Sequence, residues 1–507
     1  MANLLFIRKS IDKIMGQSEE TGEHQFKRTL GVGHLVLLGI GAIIGAGLFV
    51  RTAAAAAEHA GPSVTYSYII AAVGCMFAGL CYAEFASTIP IAGSAYTYSY
   101  ATLGEFVAWV IGWELILEYG LGAATVSIAW SQYLNKLLAN FHWHGEVMKI
   151  PYQWCHSPLL VSNMKADGIE GVHGIANLPA LLILLLLTML LIRGTHGSAI
   201  VNALIVILKV SIVCLFIVFG WQFINPANHT PFIPPAGTYT DPMGTTGAFG
   251  GLMGILAGAG TVFFAFIGFD AVSTAAQEAK NPKKDMPMGI LLSLGICTIL
   301  YILFSYVLTG IASTDDFRTA GKEASVTFAI QKYMGPAYGW LANFVTVAIL
   351  AGFSSVILVM LLGQSRVFYS MSRDGLVPKI FSDVHPKYKT PYKSNWIFLL
   401  FCGLFAAFLP DSLTGDLTSI GTLSAFLLVS AGVWIMRVRQ PELKRAFTTP
   451  LVPFVPIMGI LVCAAMMYGL NKQTWEGFLV WTAVGLIVYF LYSRHHSVAR
   501  KDAMLKP

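Results

Sequence analysis

The sequence has 507 residues, of which 56% are hydrophobic and only 11% are charged. Soluble domains carry about 25% charged residues, so this composition excludes an ordinary soluble protein and indicates an integral membrane protein. The net charge of +6 does not point to a nucleic-acid partner, because membrane topology accounts for the basic residues.

Apolar stretches of about 20 residues predict twelve membrane-spanning helices along the chain. Their approximate limits are 34–57, 63–89, 106–138, 178–192, 198–222, 247–276, 288–311, 338–365, 395–409, 416–436, 451–470 and 475–493. With the N-terminus in the cytoplasm, the cytoplasmic segments hold 23 Lys and Arg residues and the opposite segments hold 7. The positive-inside rule therefore predicts cytoplasmic N- and C-termini. We expect the protein in the cytoplasmic (inner) membrane.

The first predicted span contains the segment GIGAIIGAG at residues 39–47, with four glycines in nine positions. This density of glycine predicts an interruption of the helix halfway across the membrane. Gly41 and Gly45 also form a small-xxx-small pattern, which is typical of contacts between membrane helices. The sixth span is similarly rich in glycine from Gly254 onwards and contains Asp270. The sequence therefore predicts interruptions in both spans, with helix packing as the alternative for the first.

The two interrupted spans are the first members of two five-helix sets, the first to fifth and the sixth to tenth. Paired interruptions at corresponding positions predict two inverted repeats with a transport site between them. Unwound backbone inside a membrane must face a cavity or a ligand. Its free amides suit a carboxylate and its free carbonyls suit an ammonium group, which are the two charged groups of an amino acid.

This correspondence predicts how the chain is divided. The segments are a cytoplasmic N-terminus (1–33), a first five-helix repeat (34–222) with a long extracellular loop (138–177), a second repeat (247–436), two further helices (451–493) and a cytoplasmic tail (494–507).

The long loop carries the residues of a conceivable metal site, namely His142, His144, Cys155, His156 and His173. Their spacing matches no standard zinc pattern, so a polar extracellular loop is the preferred interpretation. No histidine falls in the middle of a span, which argues against a membrane haem or metal cluster. We expect no cofactor. Six of the seven cysteines lie in spans, so no disulfide framework is expected.

Two ionisable side chains stand out inside the spans. Lys209 lies about ten residues from either end of the fifth span, where a lysine costs roughly 2.5–3.5 kcal/mol on insertion scales. It is a candidate proton carrier or internal cation, or alternatively a structural tether to a neighbouring helix. Glu118 lies within the third span, one turn from Glu114. These two acids are candidates for a proton relay, a contact to the substrate ammonium group or a structural pair.

Four long segments resemble the amino acid–polyamine–organocation superfamily, and most closely the bacterial branch of its cationic amino acid transporter family. They are LGIGAIIGAGLFV (38–50), CYAEFASTIPIAGSAYTYSYATLGEFVAWVIGWELILEYG (81–120), TVFFAFIGFDAVSTAAQEAKNPKKDMPMGI (261–290) and GQSRVFYSMSRDGLVPKIF (363–381). The resemblance extends over about residues 26–495. It implies the leucine-transporter fold, an all-α arrangement of five-plus-five inverted repeats with broken first and sixth helices and two additional C-terminal helices.

The resemblance also assigns a binding site to the two broken helices. The substrate carboxylate is expected at the amides of Gly45, Ala46 and Gly47. The ammonium group is expected at the carbonyls of Ile43, Phe264 and Ile267. Ala265 is also counted among the substrate-binding residues. Many relatives carry a hydroxyl residue where this chain has Ala46, so a side-chain contact to the carboxylate is missing there and the backbone contacts remain.

The same resemblance gives roles to the two intramembrane charges. Lys209 matches the fifth-helix lysine of proton-coupled members, and Glu118 matches a third-helix carboxylate near the pocket. A cationic substrate would need a desolvated acidic partner, for which Glu118, Glu114 and Asp270 are candidates. An apolar wall formed by Phe263, Phe264 and Met360 instead favours smaller neutral amino acids such as alanine.

The expected function is therefore a proton-coupled secondary active transporter that imports amino acids by alternating access, with a neutral or cationic range. The alternative is an exchanger of the same fold without net proton flow. A channel is disfavoured because no filter motif is present, and an enzyme because the spans hold no nucleophile–base pair or metal cluster. Expected partners are the amino acid, protons and the lipid bilayer. Single-span subunits also dock on some relatives.

Overall fold

The computed structural model describes residues 5–9, 30–89, 94–143, 146–161, 171–194, 199–241, 244, 246–274, 276, 279–321 and 325–504. The statements below concern these residues.

Helices make up almost all of the described chain. The first half contains α1 (Val32–Ile43), α2 (Thr52–Ala55), α3 (Val64–Thr88), α4 (Ser94–Thr102), α5 (Glu105–Ile116), α6 (Gly122–Leu138), α7 (Leu178–Arg193) and α8 (Ala199–Gly220). The second half contains α9 (Gly251–Val262), α10 (Ala271–Thr274), α11 (Pro282–Ile311), α12 (Thr314–Asp316), α13 (Ser325–Ala329), α14 (Gly339–Arg373), α15 (Tyr392–Phe408), α16 (Asp411–Arg439), α17 (Phe454–Gly469), α18 (Lys472–Val488), α19 (Arg494–His496) and α20 (Val498–Met504).

Other helix types and two short hairpins join these helices. The π-helical turns are Gly47–Arg51, Ala56–Ala60, Leu117–Leu121, Phe317–Gly321, Ile330–Met334 and Tyr489–Ser493. The 3₁₀ turns are Gly61–Ser63, Tyr152–Trp154, Trp221–Phe223, Pro226–His229, Phe263–Phe266, Pro336–Tyr338 and Lys379–Ser382. The antiparallel hairpins pair β1 (His142–Trp143) with β2 (Glu146–Val147) and β3 (Gly237–Thr240) with β4 (Thr246–Phe249), Gly237 lying opposite Phe249.

Within the described residues, eight helical stretches are long and apolar enough to cross a membrane, and four further apolar helices have 10–17 residues. The prediction of an all-α membrane protein is therefore confirmed. One of the four shorter helices is α1, which is short because the first predicted span is interrupted after Ile43.

The limits of several predicted spans need correction. The seventh begins at Pro282 instead of 288 and the tenth at Asp411 instead of 416, and the sixth and eighth also differ. The sixth was predicted to begin at residue 247, but 246–249 form β4, and α9 begins only at Gly251. The intervening Gly250 has a φ of 69°, a conformation that favours glycine. The eighth was predicted to end at 365, but α14 continues to Arg373. Its last turns contain buried polar side chains, including Ser365 and Ser372, so hydropathy underestimates a helix that is covered by protein.

Small residues bring the central helices close together. A Cβ atom on Gly258 of α9 would lie 2.7 Å from the hydroxyl of Ser67 on α3, and one on Gly79 of α3 would lie 2.7 Å from Leu294 on α11. Close approach of helices at glycine is typical of membrane proteins. As a result, α3 packs closely against α11 and against α9, which is the first part of the second interrupted helix.

The two described ends of the chain meet at the start of α5. The amide of Glu105 donates to the carbonyl of Ile7 at 2.9 Å. Arg500 of α20 donates from Nε to the Glu105 carboxylate at 2.7 Å. In addition, Lys9 forms an ion pair of 2.7 Å with Asp374 at the end of α14. Glu105 thus anchors both described ends, one through its amide and the other through its carboxylate.

Candidate substrate site at two interrupted helices

The first interruption lies at the glycine-rich segment of the first predicted span. α1 ends at Ile43, and Ile44 has an extended ψ of 105°. The chain becomes helical again as the π-turn Gly47–Arg51, where the amides of Leu48 and Phe49 donate to the carbonyl of Gly45. The amides that begin a helical segment have no carbonyl one turn before them. Gly45, Ala46 and Gly47 thus begin a new segment in the interior of the protein.

The second interruption follows α9. The chain narrows into a 3₁₀ turn at Phe263–Phe266, and Ile267 then has a ψ of 135°. Gly268 has a φ of 112°, and a Cβ atom on it would lie 3.0 Å from the carbonyl of Ala42. Only glycine combines this conformation with so close an approach. The second interruption therefore packs directly against the last turn of α1.

The two interruptions are in backbone contact with each other. A Cβ atom on Gly47 would lie 2.1 Å from the Cα atom of Ala265, so no side chain fits between them. Gly45 instead faces α14, where its Cβ would lie 3.2 Å from Val356. Of the residues predicted to bind the carboxylate, Gly47 thus packs on Ala265 of the predicted sixth-helix segment, whereas Gly45 lies beside α14.

A tyrosine that sequence reasoning missed connects the same two interruptions. The hydroxyl of Tyr301, on α11, lies 2.9 Å from the carbonyl oxygen of Ile43 and 2.9 Å from that of Ala265. Its side chain is completely buried. One phenol hydroxyl therefore contacts two backbone carbonyls, one at each interruption.

Lys209 is completely buried and contacts the first broken helix. Its Nζ atom donates to the carbonyl of Gly41 at 2.8 Å. On its other side lies α14, where a Cβ atom on Gly352 would be 2.8 Å from the lysine Cε. Lys209 thus ties α8 to the last turn of α1, two residues before that helix ends at Ile43.

The two acids of the third predicted span face different neighbours. Glu118, in the π-turn Leu117–Leu121, is buried and faces Asp270. Asp270 also accepts hydrogen bonds from Tyr119 and from Ser94, the latter at 3.3 Å. Glu114 instead accepts a hydrogen bond of 2.9 Å from Thr482 on α18. Only Glu118 therefore joins the acid at the second interruption.

The three side chains that were expected to form an apolar wall are all buried. Phe263, Phe264 and Met360 are each at most 5% exposed. The ring of Phe263 packs edge-on against Phe426 of α16, with centroids 5.6 Å apart. This contact places Phe263 in the packed core.

A buried ion pair lies just beyond the first interruption. Arg51, which is 1% exposed, pairs with Asp416 of α16. The sequence reasoning counted Arg51 among the charges but gave it no partner. The sequence signal for this pair was a single arginine in one apolar span and a single aspartate in another.

The histidine-bearing loop makes local contacts. His156 hydrogen-bonds through Nδ1 to the carbonyl of Tyr152 at 3.1 Å, and Cys155 donates to that of Pro151 at 3.2 Å. His144 lies outside the described residues. Among the described residues, no three His, Cys, Asp or Glu side chains are grouped closely enough to hold a metal ion.

Comparison with known proteins identifies the family. The amino acid permease family model matches residues 30–491. The branched-chain amino acid permease BcaP of Bacillus subtilis (strain 168) is 44% identical over 98% of this chain and 99% of its own length. The methylthioribose transporter of the same organism is 40% identical, with the same shares covered. The vacuolar cationic amino acid transporter 4 of Arabidopsis thaliana is 32% identical over 87% of this chain and 68% of its own length.

These matches confirm the resemblance drawn from the sequence. Relatives whose names carry different substrates align with almost the whole chain, so the shared property is the transporter architecture. The chain belongs to the amino acid permease family and is a multi-pass membrane transporter rather than an enzyme.

Proposed function

We propose that this protein imports amino acids across the cytoplasmic membrane by alternating access and that it couples this movement to protons. One observation carries the proposal: the two interrupted helices meet with Gly47 against the backbone of Ala265 and no side chain between them. Interrupted helices at the middle of a membrane supply backbone groups for substrate. The permease names of the relatives agree with this role.

The site would hold the two charged groups common to all amino acids. The amides of Gly45, Ala46 and Gly47 begin a helical segment, where free N–H groups and the positive end of the helix dipole attract a carboxylate. The ammonium group would lie at the carbonyl of Ile43 and at the Phe264–Ile267 segment. Because the backbone would bind only the groups that all amino acids share, selection among substrate side chains would depend on the surrounding protein side chains.

The architecture that we propose has twelve membrane helices, ten of them in two inverted five-helix repeats. In this proposal the broken first and sixth helices occupy equivalent positions in the repeats 34–222 and 247–436, and the helices within 451–493 lie outside them. The excess of Lys and Arg on one side supports cytoplasmic termini.

We propose neutral amino acids as the main substrates. The buried Phe263 and Phe264 of the second interruption and the buried Met360 of α14 favour apolar side chains, from alanine to the branched-chain amino acids. The acid at hand, Glu118, faces a second acid, Asp270. A proton held between two such acids lowers the negative charge that they offer to a cationic side chain.

Proton coupling is proposed for Lys209 together with the Glu118–Asp270 pair. Lys209 is bonded to α1 just before the interruption, so gain or loss of its proton would act directly on the broken helix. Two carboxylates that face each other repel when both are ionised, so this pair is a second place where a proton would be held.

An exchanger of the same fold is the second candidate. The observation that favours it is the bond from Lys209 to Gly41, because a permanently charged lysine would make the same contact. In that case Lys209 would be a fixed cation, and substrate would leave only when another substrate enters.

The test is uptake of labelled amino acids into proteoliposomes, with and without an inward proton gradient and with or without preloaded unlabelled substrate. The panel contains alanine, leucine, lysine and arginine, with methylthioribose added because of the 40% identical relative. Accumulation of neutral amino acids that follows the gradient supports the proposal. Uptake only into preloaded vesicles would establish exchange, and uptake of methylthioribose alone would reject amino acids as substrates.

The role of Lys209 is tested by Lys209→Ala, with Lys472→Ala as the matched control. Lys472 is 89% exposed and forms only a surface pair with Glu476. We expect gradient-driven accumulation to be lost in Lys209→Ala while substrate binding stays measurable, and the control to accumulate normally. Unchanged accumulation in Lys209→Ala would remove it from the coupling mechanism.

A further inference from the structure

We infer that Tyr301 occupies the place of the substrate ammonium group when the site is empty, and that the substrate must displace its hydroxyl. This inference rests on the proposed function, because it concerns the same binding site. Its basis is the position of one phenol oxygen 2.9 Å from the carbonyl of Ile43 and 2.9 Å from that of Ala265. Both residues belong to the predicted substrate site.

The chemistry of the two donors favours replacement over cooperation. A tyrosine hydroxyl has a single proton, so at any moment it donates to only one of the two carbonyls. An ammonium group has three N–H donors and can serve both carbonyls at once with stronger, charge-assisted bonds. In the empty site, the tyrosine hydroxyl is therefore a weaker donor at the same two carbonyl acceptors.

The two carbonyls need a donor from the protein or the substrate because this site is buried away from water. Tyr301, Ile43 and Ala265 are all at most 2% exposed. A carbonyl left unpaired in such surroundings costs more than the hydrogen bond itself contributes. The empty protein therefore depends on the Tyr301 hydroxyl, whereas the loaded protein does not.

The packing of the Tyr301 ring connects displacement of its hydroxyl to the neighbouring helices. The ring of Tyr301 lies 5.5 Å from that of Tyr68 and 5.2 Å from that of Phe266, centroid to centroid. A movement of the hydroxyl away from the two carbonyls would move the Tyr301 ring against these two neighbours. Arrival of an ammonium group would consequently shift α11 against α3, which links substrate binding to movement of the helices.

The decisive variant is Tyr301→Phe, which keeps the ring and removes only the hydroxyl. Binding of labelled L-leucine to the purified full-length protein is measured by scintillation proximity. We expect Kd to fall about threefold to tenfold, because the empty site loses a partner worth about one buried hydrogen bond and the loaded site does not. Displacement of the label by 4-methylpentanoate, which is leucine without its amino group, should change less than twofold.

Tyr68→Phe is the matched control. It removes another buried hydroxyl at the same interruption, one that donates to the carbonyl of Gly47 at 3.2 Å and pairs with Thr52 at 2.7 Å. Since the ammonium group is not expected at that carbonyl, Tyr68→Phe should not tighten leucine binding. Equal tightening in both variants would overturn the inference, because it would reflect general loosening of the core.

Transport kinetics give a second measurement. Net uptake requires the empty protein to return across the membrane, whereas exchange of labelled for unlabelled leucine does not. Tyr301→Phe should therefore slow net uptake severalfold more than exchange. A purely structural role for Tyr301 would slow both equally.

The outcomes separate this inference from the proposed function. Weaker leucine binding by Tyr301→Phe, with normal binding by the unaltered protein, overturns the inference alone. Failure of the unaltered protein to bind any amino acid of the panel overturns the proposed function and the inference together. Should Tyr301→Phe fold poorly, Tyr301→Met serves the same test, because it also lacks the hydroxyl and must also bind leucine more tightly.

Discussion

Two apolar stretches of similar length have opposite surroundings in this protein. In Gly251–Ser273, 83% of the most apolar 18-residue window is buried, whereas in Lys472–His496 the share is 17%. The first contains an interruption of the helix, and the second is helical to its end. Broken backbone is thus found where protein, not lipid, surrounds it, as expected when unpaired amides and carbonyls are intolerable in hydrocarbon.

The largest effect that this comparison predicts is that of Gly47→Ala. The added methyl group would lie 2.1 Å from the Cα atom of Ala265, so the two interruptions must separate. We expect uptake in proteoliposomes to fall at least tenfold with membrane insertion retained, since geometric errors of about 1 Å cost a hundredfold at reacting sites.

Gly295→Ala on α11 is the matched control, because a Cβ atom there meets nothing within 4 Å. Its uptake should stay within twofold of the unaltered protein. Wild-type uptake by Gly47→Ala would show that the contact between the interruptions is not needed for transport.

The second prediction compares a buried with an exposed ion pair. Arg51→Gln leaves Asp416 without its partner inside the protein, and removal of one member of such a pair costs about 3–5 kcal/mol. We expect a marked drop in the melting temperature of the purified protein. Partial recovery is expected in Arg51→Gln/Asp416→Asn.

Lys393→Gln provides the exposed counterpart. Lys393 and Asp383 are 2.6 Å apart but are 41% and 43% exposed, and pairs of this kind contribute about 0–1 kcal/mol. A similar loss of melting temperature in both single variants would contradict the distinction drawn between buried and exposed regions.

The third prediction concerns two acids one turn apart. Glu118→Gln should reduce the dependence of uptake on the proton gradient severalfold, because Glu118 faces Asp270 at the second interruption. Glu114→Gln should leave that dependence intact, because Glu114 is bonded to Thr482 of the lipid-facing α18. The measurement is initial uptake at several imposed gradients. The reverse result would move the proton site to the α5–α18 contact.

The smallest effect is expected on the lipid-facing side. Leu479 of α18 is 58% exposed, and Leu479→Ala removes side-chain atoms that contact little protein. Exposed substitutions usually change stability by less than about 0.5 kcal/mol, so both melting temperature and uptake should be nearly unchanged. A large loss would show that this face is covered, for example by a second protein.

The sequence predicted the position of the first interruption, because local chemistry decides it. Four glycines within nine residues weaken a helix whatever surrounds it, and the first interruption lies at these glycines. It did not predict that Gly47 packs on Ala265, because residues more than 200 positions apart share no periodicity. Tyr301 was missed for the same reason, since nothing local distinguishes it from the other tyrosines among the 20 in the chain.

The two acids show how a local rule can mislead. In a regular α-helix, residues 114 and 118 share one face, which suggested a common role. The structure has a π-helical turn at Leu117–Leu121. Such a turn accommodates an extra residue, so Glu118 and Glu114 meet different partners.

The anchoring of both described ends at Glu105 has a practical consequence. Ile7 and Arg500 contact the same residue, so an alteration of either end disturbs one shared corner of the molecule. A pair of fluorophores, one attached near each end, would begin close together. Their energy transfer would then report whether that corner opens during transport, with no label placed inside the membrane.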